Sequence, residues 1–156
     1  MGVLPGDLIF YPDDGYWKHT IFAWLQKKTG ELGKITGTPY THVAMIANDP
    51  DLVVEMKWPR PAFRFFADDT REKIILRPKC DDKIKLRAIY WCYFNVDTSY
   101  SPLNMALGFF KLAQAYKMCS GFVDRAYREA GFSLTPESDK CVSPNELASS
   151  DKLIKI

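Results

Sequence analysis

Long apolar runs are missing from this chain of 156 residues: the longest strictly apolar stretch, Ala88 to Phe94, has seven. A bilayer-spanning helix needs roughly 20, so no transmembrane span is expected. Histidine is scarce, with only His19 and His42, and Cys80, Cys92, Cys119 and Cys141 include no Cys-x-x-Cys pair. No familiar zinc spacing can be assembled, so neither a metal nor another cofactor is expected. A surplus of one charge is missing too. Lys plus Arg is 21 and Asp plus Glu is 19, a formal net charge of +2, which supplies no basic field for a phosphate backbone and excludes nucleic acid as an expected partner. The opening Met1-Gly-Val-Leu-Pro-Gly-Asp7 lacks the basic segment and apolar core of a secretory signal. That predicts a cytoplasmic protein, or one delivered by a route without a signal peptide; four reduced thiols fit this, with disulfides left open.

What is there is core-forming material. Apolar residues make up 47% of the chain and charged ones 26%, enough to offset the entropy of ordering a single domain over residues 1–156. Asp7 to Pro12, behind a Pro-Gly turn signal, reads as a strand. Trp17 to Lys28 has helical apolar spacing, and residues 29 to 40 read as a Gly-rich loop. Thr41 to Ala47 and Leu52 to Lys57 flank Asn48-Asp-Pro-Asp51 and form a predicted hairpin. Arg60 to Phe66 and Lys73 to Arg77 are further strands of an antiparallel sheet. Behind Asp81-Asp82, Leu86, Ile89, Tyr90, Tyr93 and Phe94 mark the apolar stripe of a helix. Ser101-Pro102 opens another over Leu103 to Phe110. A third begins at or just after Cys119, carries Phe122, Val123, Ala126, Tyr127 and Ala130, and ends at Gly131. Ser143-Pro-Asn-Glu146 fits a capping box, and Lys152 to Ile156 fits an edge strand.

Three residues invite chemistry. Cys119 stands at a helix opening, where unpaired N–H groups and the macrodipole favour a thiolate and can hold an oxyanion; its bland alternative is a small buried hydrophobe. His42 opens an apolar strand, and Glu55 lies on its hairpin partner. A four-residue loop sets Ala47 opposite Leu52 and leaves Glu55 diagonal to His42 on one face of the sheet, whereas a one-residue slip would separate them. A carboxylate beside an imidazole fixes its tautomer and supports the imidazolium. The other candidates read as structural: His19 as a solvent-facing residue, the three Asp-Asp pairs as turn and cap residues, and the tryptophans as core, although Trp58-Pro-Arg-Pro could wall a groove.

Pro5-Gly-Asp-Leu-Ile-Phe-Tyr11, Thr41-His-Val-Ala-Met-Ile46 with Glu55, and Cys119-Ser-Gly-Phe-Val-Asp-Arg-Ala-Tyr-Arg-Glu-Ala-Gly-Phe132 resemble three segments of the NlpC/P60 superfamily of papain-like cysteine hydrolases. The Cys helix follows the His strand, which resembles the circularly permuted branch that includes the YiiX-like amidases and, more remotely, lecithin:retinol acyltransferase relatives. Ser143-Pro-Asn-Glu-Leu147 is similar to a segment that ends several permuted members. The resemblance implies an α+β fold in which an antiparallel sheet packs on the helix bearing the nucleophile. It carries the nucleophile onto Cys119, the general base onto His42 and the orienting acid onto Glu55. Met118 departs from the Asp of ordinary members, and the oxyanion-side tyrosine could be Tyr11 or Tyr40. The implied activity is cleavage of an amide, in a small peptide, a γ-glutamyl cell-wall fragment or a fatty-acyl amide, through a thioester. Acyl transfer on the same triad, or a catalytically silent binding module, are the competing expectations.

Overall fold

The computed structural model describes residues 2–12, 40–56, 61–67, 70–96, 119–136 and 142–156. The expected helices at Trp17 to Lys28 and from Ser101 to Phe110, most of the 29 to 40 loop, and His19, Trp58, Met118 and Cys141 lie outside the described residues. The described chain is a mixed α+β structure. Its elements are β1 (Leu8–Pro12), β2 (Tyr40–Ile46), β3 (Leu52–Met56), β4 (Pro61–Phe65), β5 (Ile74–Pro78), α1 (Asp82–Phe94), α2 (Cys119–Glu129), α3 (Pro144–Ala148) and β6 (Leu153–Lys155).

The six strands form one sheet in the order β4-β3-β2-β1-β5-β6, and each neighbouring pair is antiparallel, as expected. Side chains alternate across the sheet. Leu8, Phe10, Val43, Met45, Val54 and Met56 turn to one face, where they share a core with Ala88, Ile89, Phe122, Val123 and Ala126 of the helices. Ile9, Tyr11, Ala44, Ile46 and Val53 form a second apolar layer on the other face. Because β1 and β2 are covered on both sides, they read as almost unbroken apolar runs. A charged residue in either is therefore conspicuous.

The hairpin between β2 and β3 has the expected register. Ala47 N–H donates to Leu52 O at 2.8 Å, Ala44 faces Glu55, and the Asp49 carboxylate accepts from Asp51 N–H at 3.0 Å. That local bond is what Asp contributes to a tight turn.

Helix α1 forms where expected but turns a different face to the core. Lys85, Ala88, Ile89 and Cys92 are its buried residues, whereas Leu86, Tyr90, Tyr93 and Phe94 of the expected stripe are exposed, Phe94 by 87%. The unbroken apolar run from Ala88 to Phe94 gives the second half of the helix no single stripe for periodicity to find. Small Ala88 and Cys92 let α2 approach, and bulk is left outside. Asp81 occupies the N-cap position of α1, but its side chain makes no capping bond. The other two ends follow their signals. Gly131, at φ 92°, closes α2 with Gly131 N–H to Arg128 O at 3.0 Å and Phe132 N–H to Tyr127 O at 2.9 Å, a left-handed cap. Ser143 and Glu146 form the full capping box on α3.

Gly6 joins the start of β1 to the helix layer. It has φ +85°, and a Cβ there would sit 2.6 Å from Lys85 Cβ and 2.8 Å from Tyr127 Oη. The Tyr127 hydroxyl donates to Gly6 O. Gly6→Ala is expected to destabilise by more than the ~1–2 kcal/mol of left-handed backbone strain alone, since the two neighbours must also move. A urea midpoint unchanged from wild type would refute this.

Candidate active site

Cys119 is the first residue of α2 and is buried. The helix reaches β2 where the ladder to β3 has ended, at the Ala44–Glu55 pair. Beyond that point the Val43 N–H is turned to the Cys119 sulfur, which also accepts from the Ser120 N–H and is hydrogen-bonded to the His42 ring. A strand end and a helix start therefore place three donors around one sulfur.

On the far side of the imidazole, His42 Nε2 lies 2.7 Å from Glu55 Oε2, which leaves Nδ1 for the sulfur. Glu55 is 3% exposed, so its carboxylate must be satisfied by protein groups. Arg64 on β4 supplies the second partner, with Nε 2.9 Å from Glu55 Oε1, and its Nη2 donates to the Tyr11 hydroxyl at 2.6 Å. Tyr11 faces His42 across the β1–β2 ladder, beside an irregularity between Tyr11 and Pro12. The two rings lie 5.6 Å apart, tilted by 32°.

Burial on its own would keep all three central groups neutral. Burial lowers the His42 pKa, yet the charge and hydrogen bond of Cys119, followed by the hydrogen bond and charge of Glu55, outweigh it and carry the imidazole to about 9. Burial likewise opposes ionisation of Cys119, but the His42 charge and hydrogen bond, then the two backbone N–H groups, bring the thiol below its ordinary value. Burial raises the Glu55 carboxyl, and His42 and then Arg64 hold it down at about 2. The other described thiols behave oppositely. Burial pushes both Cys92 and Cys80 up, and all three are free cysteines. Among the described thiols, only Cys119 is shifted toward ionisation.

Cys119, His42 and Glu55, separated along the chain, are thus in one hydrogen-bonded line. Of the two tyrosines, Tyr40 has its ring in the helix-side core, edge-on to Phe10 at 5.5 Å, with its N–H held by Asn145 Oδ1 at 2.8 Å. Tyr11 is the one beside His42. Arg64 is the residue that sequence reasoning passed over. Its place follows from parity only once the β3–β4 ladder is known: Arg64 stands opposite Val53, on the face of Glu55. Among the described residues no group of three or more His, Cys, Asp or Glu side chains is arranged to hold a metal ion. None of their helices is long and apolar enough to cross a membrane.

The chain matches no family model and no curated protein sequence. Its fold is similar to that of the metalloprotein YiiX from Escherichia coli O157:H7, of the DUF1105 group, known from a crystal structure. The TM-score is 0.64 over 98% of this chain and 96% of that one, at 12% sequence identity. The likeness at that identity is one of fold.

Proposed function

We propose that this chain is a thiol hydrolase of amides, built on the papain-like NlpC/P60 fold in permuted order, with Cys119 as nucleophile, His42 as acid and base, and Glu55 as the residue that orients His42. The observation that carries the reading is the unbroken line from Cys119 sulfur through the His42 ring to the buried Glu55 carboxylate. Sulfur held ionised beside an imidazolium is a nucleophile already charged for attack. The thiolate adds to the carbonyl carbon, and the Cys119 N–H, unpaired at the first turn of α2, faces the developing oxyanion. As the C–N bond breaks, the Nδ1 proton of His42 passes to the departing amine, leaving a thioester. Water then loses a proton to His42, attacks the thioester and releases the acid and the thiolate. The fitting substrates are amides of small peptides, γ-glutamyl groups or fatty acids.

YiiX is described as a metalloprotein; the donor set here does not suit a metal. Both Glu55 oxygens are taken, one by His42 and one by Arg64, so among the described residues Cys119 and His42 are left without a third ligand.

The test is selective alkylation. With limiting iodoacetamide at neutral pH, Cys119 is expected to react at least ~10-fold faster than Cys80, Cys92 or Cys141, because its thiolate fraction is larger. His42→Ala should remove that advantage. Four thiols reacting at comparable slow rates would overturn the reading.

A further inference from the structure

We infer that Arg64, seated against Tyr11, is a positioning residue that holds the buried Glu55 carboxylate charged and aimed at His42. The inference rests on the thiol-hydrolase reading above and extends it to a fourth and a fifth side chain.

Glu55 has one oxygen on His42 and the other on Arg64. During the proposed reaction the His42 proton leaves for the amine, and for that interval the imidazolium no longer balances the carboxylate. A lone anion at 3% exposure would then recapture a proton or swing away. Arg64 keeps its charge at every pH the protein meets, so it holds Glu55 ionised through the step in which His42 is neutral. The guanidinium is held in place in turn. Its Nε points to Glu55 and its Nη2 to the Tyr11 hydroxyl, and Tyr11 sits by ladder register opposite His42. A second guanidinium, Arg71, lies over the other part of this unit, 3.9 Å from the centre of the Tyr11 ring. The result is a closed circuit from His42 to Glu55, Arg64, Tyr11 and back. Lysine could supply the charge but not the rigid planar fork that aims Nε at Glu55 and Nη2 at Tyr11.

Among the described residues, the charged and titratable groups around Glu55 are His42 on β2, Arg64 on β4 and Tyr11 on β1, with Cys119 of α2 behind His42 and Arg71 behind Tyr11. Only Arg64 among the described residues is a permanent cation in contact with the carboxylate. In Arg64→Met, Glu55 should therefore take up a proton at higher pH, the imidazolium should lose its support, and the thiolate should form later. The acid limb of the pH–rate profile for Cys119 alkylation is expected to move up by about one unit. Arg64→Lys should keep the acid limb near its wild-type position while amide turnover falls several-fold. Tyr11→Phe should lower turnover without moving that limb.

A purely structural Arg64 would lower the melting temperature and leave the acid limb where it is, and that outcome overturns the assignment. If Arg64→Met does not fold, Arg64→Gln carries the same expectation. The two readings fail separately. Sluggish wild-type Cys119 overturns the hydrolase reading, whereas fast wild-type labelling with an unmoved acid limb in the Arg64 variants overturns this inference alone.

Discussion

Cys119→Ala and His42→Ala are each expected to lower amide turnover by about 10⁶-fold, with binding of the amide little changed. Members of a nucleophile–base pair act as a unit, so losing either costs nearly as much as losing both, and the double variant should be no worse than Cys119→Ala. Measured as amine release from γ-glutamyl and fatty-acyl amides, this is the largest catalytic effect the site predicts. A pH experiment adds a sign. The His42 pKa is raised to about 9, so the imidazolium persists through neutral pH and is lost as pH rises past 9. Expulsion of an amine needs that proton, whereas alkylation of sulfur needs only the thiolate. Turnover should therefore fall above about pH 9 while alkylation by iodoacetamide does not. Parallel decline of both would place the titrating group on sulfur access instead, and would remove His42 from the role of acid.

The parts of the fold legible in the sequence are those where local chemistry and periodicity agree. The turn at Asn48 to Asp51 sets the hairpin register, and with a side-chain period of two that register puts His42 and Glu55 on one face. Ser143 with Glu146, and Gly131 at positive φ, marked helix ends because the groups that satisfy a helix terminus are few. The buried face of α1 was not legible. Seven consecutive apolar residues carry no phase, and the choice of face was made by what α2 could pack against, a tertiary fact. Arg64 was missed for a different reason. Its neighbours Phe63 and Phe65 made the segment read as a plain strand, and a lone Arg on an edge strand ordinarily faces water. Only the pairing of β4 with β3, which brings it within 2.9 Å of a buried carboxylate, gives it a role.

Asp7→Ala should produce the largest loss of stability, about 3–5 kcal/mol, the range for removing one partner of a buried ion pair. Asp7 is fully buried. Its two oxygens each lie 2.8 Å from Arg77, one from Nε and one from Nη2, and Oδ2 also accepts from Leu4 N–H at 2.8 Å. The carboxylate thus ties the turn before β1 to β5 on its other flank. Its removal strands Arg77, 13% exposed, with Gly2 O at 2.9 Å as its remaining hydrogen-bond partner among the described residues, and leaves the Leu4 N–H without that acceptor. At ~2–4 °C per kcal/mol for a domain of this size, the melting temperature should drop by roughly 6–20 °C. Removing both charges, as Asp7→Ala with Arg77→Met, should recover part of the loss, because an absent pair costs less than a broken one. Asp7 and Tyr11 lie at opposite ends of β1, roughly 13 Å apart at the strand rise. At a temperature where the variant remains folded, Cys119 alkylation should therefore proceed at the wild-type rate. A loss below about 1 kcal/mol would mean the pair is worth no more than a surface ion pair; a normal loss accompanied by slow alkylation would mean that the Gly-Asp-Leu strand positions His42 as well as supporting the sheet.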